Sequence, residues 1–173
     1  TPHLEALAAE GVVYTHAIPN GTWTVPSHAA LFTGRLSRAH GAYHAPNPNA
    51  VSAINPDVAT VAEQLAASGY DTAAFVGNET YLTPRLGFGR GFGLYRTDDV
   101  RPAARLSHHV TRWIRRHAGD PMFLFMNVLD AHEPYRARPP YDVLFPGKLD
   151  GVTDPGGQFH ATGRLPEPAV LAH

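Results

Sequence analysis

A threonine at the start of a predicted helix is the first residue of this chain whose position favours chemistry. Thr24 lies in the segment GTWTVPSH, residues 21–28, where Pro26 marks the first helical turn and Gly34 marks the helix end. The unpaired amides and the positive dipole end of a helix N-terminus bind phosphate or sulfate groups. A divalent cation would be needed to ionise the hydroxyl at neutral pH. The simpler interpretation is that Thr22 or Thr24 only caps the helix.

A second group of ionisable side chains follows a strongly apolar segment. Residues 122–129, MFLFMNVL, predict a buried strand, and Asp130 and His132 come directly after it. Residues two apart on an extended chain point the same way, so we expect the carboxylate and the imidazole to converge on one ligand. Such a pair suits metal binding or general acid catalysis. The alternative is a loop whose polar groups are merely solvated.

The elements that must position these groups alternate between helix and strand. The periodicity predicts helices at residues 1–10, 26–33, 55–68 and 102–118, and strands at residues 12–18, 70–76 and 122–129. The last strand is apolar on both faces, which is typical of a mainly parallel β-sheet flanked by helices, an α/β fold. Ligands bind beyond the carboxyl ends of the strands in such sheets, and both polar groups lie at places of that kind.

Composition limits the possible partners. The chain of 173 residues is long enough for one domain with a core, and its net charge of −1 argues against a nucleic-acid surface. No cysteine is present, which excludes disulfides and Cys-type zinc sites. No apolar run reaches the roughly 18–20 residues that span a bilayer. The chain begins at a helix start without Met, so we expect it to be part of a longer protein, and we predict neither its location nor any membrane association.

The residues around Thr24 resemble the sulfatase family of the alkaline phosphatase superfamily. The nucleophile segment of that family reads Cys/Ser-x-Pro-Ser-Arg, followed by a short apolar helix and Thr-Gly-Arg. Here residues 24–28 read TVPSH and residues 31–35 read LFTGR. Further similar segments are TPHLEALAAEGV at residues 1–12, RAHG at 38–41 and GYDTA at 69–73. The resemblance implies an alkaline-phosphatase-like fold, incomplete here, with residues 1–135 as the N-terminal part of the catalytic domain. Residues 136–173 are expected to be a Pro/Gly-rich loop region of the same domain, with a composition that permits poor order.

Two departures from the family pattern bear on the chemistry. The first motif residue of true sulfatases is oxidised to formylglycine, which Thr24 cannot become, and His28 stands where the family has Arg. The pattern Thr-x-Pro-x-His is similar to that of nucleotide pyrophosphatase/phosphodiesterases of the same superfamily, and lipoteichoic-acid-synthase-like phosphotransferases also use Thr. A sulfated Thr lacks the second hydroxyl through which a formylglycine hydrate expels sulfate. A phosphorylated Thr can be attacked at phosphorus by water or an alcohol, so Thr24 favours phosphate-type esters.

The resemblance also implies roles for other residues. The segment DAHEPY, which begins at Asp130, looks like the family motif Asp-x-His-x-Pro-Tyr. In that motif the His contacts the transferred group or the leaving oxygen, a role that passes to His132, while Asp130 is expected to orient the site. His28 is predicted to donate a hydrogen bond to the anion, with a helix-surface position as the alternative. The family's Gly-Lys-Trp-His segment has no counterpart, and Asn78, near its place, is a polar substitute in substrate binding.

The family's cation completes the expected site. The family holds it with an Asp pair after the first strand, with an Asp-Asn or Asp-His pair near the end of the domain, and with the nucleophile itself. Only the nucleophile, Thr24, can be placed here, because the two pairs would precede Thr1 and follow His173. We expect a divalent cation (Ca²⁺, Mg²⁺, Mn²⁺ or Zn²⁺), no formylglycine, and no activity of this fragment alone.

The sequence therefore predicts a sulfatase-like, metal-dependent hydrolase or transferase. Its expected substrate is a small or polymer-borne sulfate ester or, more readily, a phosphate-type ester, attacked through a covalent Thr24 intermediate. An alternative within the superfamily is a phosphodiesterase or phosphoglycerol-type transferase. An alternative of another class is a catalytically degenerate domain that binds an anionic ester or a protein partner, with which the missing Lys and Arg agree.

Overall fold

The structure of the protein is a computed structural model that describes residues 2–43 and 51–132. These residues form the elements α1 (Pro2–Ala9), α2 (Thr24–Thr33), α3 (Ser37–His40), α4 (Val61–Ala67), β1 (Asp71–Val76), a 3-10 helix (Pro84–Leu86), β2 (Leu94–Arg96), α5 (Ala103–Arg116) and β3 (Met122–Asn127). The chain divides into two compact units, the first comprising Thr1–Tyr70 with Thr80–Phe92 and the second comprising Asp71–Glu79 with the chain from Gly93 onward. The loop region predicted at 136–173 lies outside the described residues.

The first unit is built around α2. Val25, Ala29 and Phe32 repeat at helical spacing and are buried, so α2 presents one apolar face to its surroundings. The Phe32 ring packs edge-on against Phe88, with ring centroids 5.7 Å apart. At Gly34 the helix ends in the left-handed region, with φ 63°, and the Gly34 amide donates to the Ala30 carbonyl at 2.8 Å. The predicted helix and its glycine cap are confirmed.

Helix α4 begins six residues later than predicted. The Thr60 hydroxyl accepts from the Glu63 amide while the Glu63 carboxylate accepts from the Thr60 amide, which forms a capping box. The residues before it are held in a turn in which the Asn55 side chain accepts from the Asp57 amide. The prediction of a helix start at Asn55 is wrong. The Asn55 side chain accepts a local backbone hydrogen bond that stabilises a turn instead of a first helical turn.

The N-terminal segment departs further from the sequence pattern. The predicted strand at residues 12–18 is wrong: these residues form no strand and every one of them is exposed. In α1, Leu4 and Leu7 are 64% and 69% exposed, so the apolar face that they share is not covered by the described residues. A strand pattern specifies a strand only where a neighbouring strand pairs with it.

The second unit contains a three-stranded sheet in the order β2-β1-β3, with both strand pairs parallel. The central strand β1 is buried over its last five residues. Helix α5 covers the sheet, and its inner residues Leu106, Val110 and Trp113 pack in one cluster with Phe75. The α/β class with a parallel sheet is thereby confirmed.

Details of the second unit correct the sequence pattern in three places. Ile114 of α5 is 38% exposed, although its spacing of four residues from the buried Val110 predicts an inward position. Strand β3 is half-buried with an exposed Met126, so it is less covered than its composition predicts. Strand β2 was not predicted, since three residues in a Gly- and Arg-rich segment carry too little periodicity. None of the described helices combines the length and apolarity that a membrane span requires.

Candidate active site

Thr24 is the first residue of α2 rather than the residue before it. The N-cap position belongs to Trp23, whose backbone is extended (φ −151°, ψ 176°) and whose side chain makes no capping hydrogen bond. A threonine that caps a helix occupies the N-cap position itself. The simpler interpretation, in which Thr22 or Thr24 only caps α2, is therefore not what the structure shows.

The first turn of α2 leaves few amides for a ligand. The Ser27 amide donates to the Trp23 carbonyl at 3.3 Å, and Pro26 has no N–H. Only the amides of Thr24 and Val25 therefore lack an acceptor within the helix at this end. These two amides and the helix dipole are the local groups that favour an anion beside Thr24.

Gly21 allows the preceding loop to lie against this turn. A Cβ atom at Gly21 would come within 2.8 Å of the Ser27 nitrogen and 2.9 Å of the Pro26 side chain. Only a glycine fits at that distance, so Gly21 sets how closely the loop approaches the helix start. The sequence signals a turn at Pro19-Asn20-Gly21 but not this close approach.

His28 turns back onto the backbone of the predicted nucleophile. Its Nδ1 lies 2.8 Å from the Thr24 carbonyl oxygen, one helical turn earlier, and the residue is half-buried. A carbonyl only accepts, so this bond assigns the ring proton to Nδ1. The structure thus places His28 beside Thr24, while its contact with an anion stays a prediction.

A cleft opens on the side of α2 that carries His28. Its volume is about 410 Å³. It is lined by Ile18, Pro19, Asn20, Ser27, His28, Ala30 and Leu31. Apolar side chains and three polar residues line it together, a mixture common in small-molecule sites.

Asn78 and Asp130 follow neighbouring parallel strands, β1 and β3, at the carboxyl edge of the sheet. The Gly77 amide donates to the Asn127 carbonyl at 2.9 Å, and the Asn78 amide donates to the Asn127 side-chain oxygen at 3.0 Å. Asn127 therefore fixes the segment that carries Asn78. Sequence reasoning did not select Asn127, although a lone amide within an otherwise apolar strand was the available signal.

Asp130 has a structural partner in helix α5. Its Oδ2 accepts from the Ala103 amide at 2.9 Å. The N-cap of that helix, Pro102, has no side-chain acceptor to offer, so Asp130 supplies the carboxylate that the helix N-terminus favours. This contact joins the end of β3 to α5, while the orienting role of Asp130 at the site stays a prediction.

The predicted convergence of Asp130 and His132 needs a correction. Strand β3 ends at Asn127, and a turn follows in which the His132 amide donates to the Leu129 carbonyl at 3.0 Å. Alternation of side chains applies to extended chain only, so it does not place these two side chains together. His132 is exposed, and the remaining residues of its motif lie outside the described ones.

The two groups of predicted residues belong to different units. Thr24 and His28 lie in the first, whereas Asn78, Asp130 and His132 lie in the second. Across residues 2–43 and 51–132, no three His, Asp or Glu side chains form a group that could hold a metal ion. The described residues therefore do not form a divalent-cation site by themselves, and Thr24 as a metal ligand stays a prediction.

Comparison with known proteins agrees with the resemblance described above. Arylsulfatase A from Bos taurus and arylsulfatase A from Homo sapiens are each 36% identical to this chain over 115 residues, which is 62% of the chain and 23% of either relative. The chain thus corresponds to less than a quarter of the length of these relatives. The Sulfatase family model matches residues 1–159, and the chain belongs to the sulfatase family.

Proposed function

We propose that the protein is a divalent-cation-dependent ester hydrolase or transferase that uses Thr24 as its covalent nucleophile. One observation carries the proposal: Thr24 stands at the nucleophile position of the family segment and is the first residue of α2. The N-cap position there belongs to Trp23, so Thr24 does not have the capping role that most often explains such a threonine.

The chemistry of a threonine supports phosphate-type esters as the preferred substrates. The Thr24 hydroxyl releases its proton to water and its oxygen attacks phosphorus, the bond to the ester oxygen breaks, and the leaving alcohol takes up a proton. Water or an acceptor alcohol then attacks phosphorus, the bond to Thr24 breaks, and the free hydroxyl is restored. Sulfate esters are the competing class, because the relatives are named arylsulfatase A.

The other predicted residues take part around this step. His132 is the proposed proton donor to the leaving oxygen or a donor to the anion, and Asn78 is a proposed polar contact of the substrate. His28, fixed against the Thr24 backbone at 2.8 Å, is a proposed contact of the anion on the helix side. Asp130 orients its segment through α5. Thr24 would be one ligand of a divalent cation, which would supply charge neutralisation if bound.

A turnover assay of the full-length protein tests the proposal. The protein is assayed with Ca²⁺, Mg²⁺, Mn²⁺ or Zn²⁺ on p-nitrophenyl sulfate, a p-nitrophenyl phosphate monoester and a diester. We expect faster turnover of a phosphate ester, lowered by on the order of 10³-fold or more in Thr24→Ala. Thr22→Ala, two residues earlier and exposed, is the matched control and should leave turnover unchanged. Preference for the sulfate ester would overturn the proposed substrate class.

A degenerate binding domain is the second candidate. The absence of the family's Lys and Arg favours it, since Asn78 and His28 stand near their places. It predicts binding of phosphate or sulfate by the folded protein with no metal-dependent turnover of any ester. A phosphodiesterase or phosphoglycerol-type transferase predicts instead preference for the diester or transfer to an added alcohol.

A further inference from the structure

Helix α5 carries a row of basic side chains that the chemistry above does not use. Its 14 residues, Ala103–Arg116, include four arginines and two histidines but no acidic residue. Arg105, Arg112 and Arg116 are exposed, and the intervals between them are close to whole helical turns. Since an α-helix rises about 1.5 Å per residue, these three side chains form one line about 16 Å long on the helix surface.

Two further side chains widen this line into a face. His108 lies three residues after Arg105, Arg115 lies three residues after Arg112, and both are exposed. Residues three apart are neighbours on a helix surface, so the five basic side chains share one side of α5. The other side is the apolar one that packs on the sheet. Together the five residues form the cationic face of α5: Arg105, His108, Arg112, Arg115 and Arg116.

The stability of the helix does not account for this face. The helix dipole favours cations in the last turn, where Arg115 and Arg116 lie, but it disfavours them in the first turn, where Arg105 lies. Arg112 and Arg116 are also one turn apart, and like charges at that interval destabilise a helix. A bound anion removes this repulsion, so the face stabilises a complex rather than the free helix.

The N-terminal half of the cationic face is held in position by hydrogen bonds. Arg112 can only donate, so Nδ1 of His109, 3.4 Å away, accepts and Nε2 carries the ring proton. Nε2 then donates to the Asp99 carboxylate at 3.3 Å, and the same carboxylate accepts from Arg105. A guanidinium that is already fixed loses less side-chain entropy when it binds a ligand.

The C-terminal half of the cationic face has no such bonds. Arg115 and Arg116 form no hydrogen bond or ion pair with the rest of the part of the chain that the structure describes. Residues 96–116 hold six of the chain's 14 Lys and Arg but only two of its 15 Asp and Glu, whereas the whole chain has a net charge of −1. The positive charge is therefore concentrated in this segment.

The chemistry of the face selects an anionic polymer as its partner. Each guanidinium binds a phosphate or sulfate group through two parallel hydrogen bonds, and a line of them fits an extended chain with repeated charges. A nucleic acid would find no aromatic ring for base stacking, because Trp113 of α5 is buried. A membrane surface requires an exposed apolar face, and that of α5 packs on the sheet.

We propose that the cationic face of α5 is a docking surface for an extended phosphate polymer that is not a nucleic acid. The choice of phosphate over sulfate rests on the proposed function, in which Thr24 favours phosphate-type esters. The existence of the docking surface does not depend on Thr24. The net charge of −1 confines the attraction to this face, so the rest of the chain does not hold the polymer.

Binding of inorganic polyphosphate to the full-length protein tests the proposal. Affinity is measured at several salt concentrations in the Thr24→Ala background, which prevents cleavage of the probe by the proposed nucleophile. We expect Arg112→Gln/Arg116→Gln to weaken binding by about 10–100-fold and to reduce the slope of log Kd against log salt by about 1–2. Arg38→Gln/Arg85→Gln removes the same charge from exposed positions of the first unit and should leave both unchanged.

Equal binding by the two double variants would overturn the docking surface. Tighter binding of heparin, single-stranded DNA or anionic vesicles than of polyphosphate, with the same dependence on Arg112 and Arg116, would overturn the phosphate polymer as its partner. Thermal unfolding checks the fold, and polyphosphate should raise the Tm of the parent protein more than that of Arg112→Gln/Arg116→Gln. Should that variant unfold, Arg115→Gln/Arg116→Gln replaces it, since neither side chain bonds to the described residues.

The docking surface and the proposed nucleophile fail separately. Turnover that persists in Thr24→Ala would remove the nucleophile, while a loss of polyphosphate binding in Arg112→Gln/Arg116→Gln would still support the docking surface. Conversely, unchanged binding in that variant would remove the docking surface and leave the test of Thr24 untouched. In the wild type, the variant should keep its kcat on the small p-nitrophenyl esters, since these contain no polymer for the face to bind.

Discussion

The two segments that carry the predicted chemistry differ in what holds them. Thr24 sits inside a helix whose first turn is fixed by Gly21 on one side and by the His28 ring on the other. His132 sits in an exposed turn beyond β3, and its neighbour Asp130 is already bonded to α5. A nucleophile must be held to within fractions of an ångström, and a proton donor tolerates a looser site that closes on the substrate. The difference agrees with the two roles proposed.

Beyond substitution of Thr24 itself, the largest loss of kcat is expected at His132. In the full-length protein, His132→Ala should lower kcat on a phosphate ester by about 10²–10³-fold, because a positioned proton donor contributes that much. A leaving group that needs no proton, such as p-nitrophenol, should show a smaller loss than an alkyl alcohol. Equal losses with both leaving groups would instead assign His132 to holding the anion.

Substitution of Gly21 tests whether the loop before α2 holds Thr24 in position. Gly21→Ala places a methyl group against Ser27 and Pro26 and should shift the first turn of α2, lowering kcat by about 10–100-fold. Gly93→Ala is the control, since a Cβ there meets its nearest atom at an ordinary 3.5 Å. Unchanged kcat in Gly21→Ala would mean that this loop does not set the position of Thr24.

Substitution of Arg90 tests how much its hydrogen bonds, including those to Glu63, stabilise the first unit. Arg90 donates to Glu63 at 2.9 Å and to the carbonyls of Asn55, Pro56 and Val58. Both side chains are about a quarter to a third exposed, so solvent screening limits the pair, and Arg90→Ala should cost about 1–2 kcal/mol in the free energy of unfolding. Urea denaturation measures this change in the free energy of unfolding. Arg85→Ala, at an exposed position, is the control.

The hydrogen bonds among Thr60, Glu63 and Arg90 also predict that the stability of the fold falls at acidic pH. Burial raises the pKa of Glu63, but bonds from Thr60 and Arg90 outweigh it and hold that pKa below its usual value. A lowered folded pKa gives stability that is present above the unfolded pKa and is lost as pH falls through the folded one. Glu63→Gln should therefore reduce the loss of stability between neutral and strongly acidic pH. An identical pH profile of unfolding in the variant would contradict the network.

The smallest change in stability is expected for substitution of Asp130. Asp130→Asn keeps an oxygen that can accept from Ala103 but removes the charge beside the α5 N-terminus, which should cost about 0.3–1 kcal/mol. Hydrogen exchange at the first turn of α5 measures it. A loss of kcat far beyond this change in stability would show that Asp130 acts on the substrate as well.

The sequence predicted those helices and strands whose local residue pattern agrees with their packing in the folded protein. The apolar run of β3, the helical spacing of Leu106, Val110 and Trp113, and the glycine that ends α2 all appear where expected. The pattern at residues 12–18 failed because strand formation needs a paired neighbour, which periodicity does not supply. The bond between Asn78 and Asn127 and the bond between Ala103 and Asp130 join residues far apart in the sequence, so no spacing rule indicated them.

The most direct test of the account is to trap the covalent intermediate on Thr24. Full-length wild-type protein is mixed with the divalent cation and a p-nitrophenyl phosphate ester, quenched in acid and mapped by peptide mass spectrometry. A covalent mechanism predicts a phosphoryl group on Thr24, which should be present after Thr22→Ala and absent after Thr24→Ala. Metal-dependent turnover that continues in Thr24→Ala, with no modified Thr24 in the wild type, would contradict it.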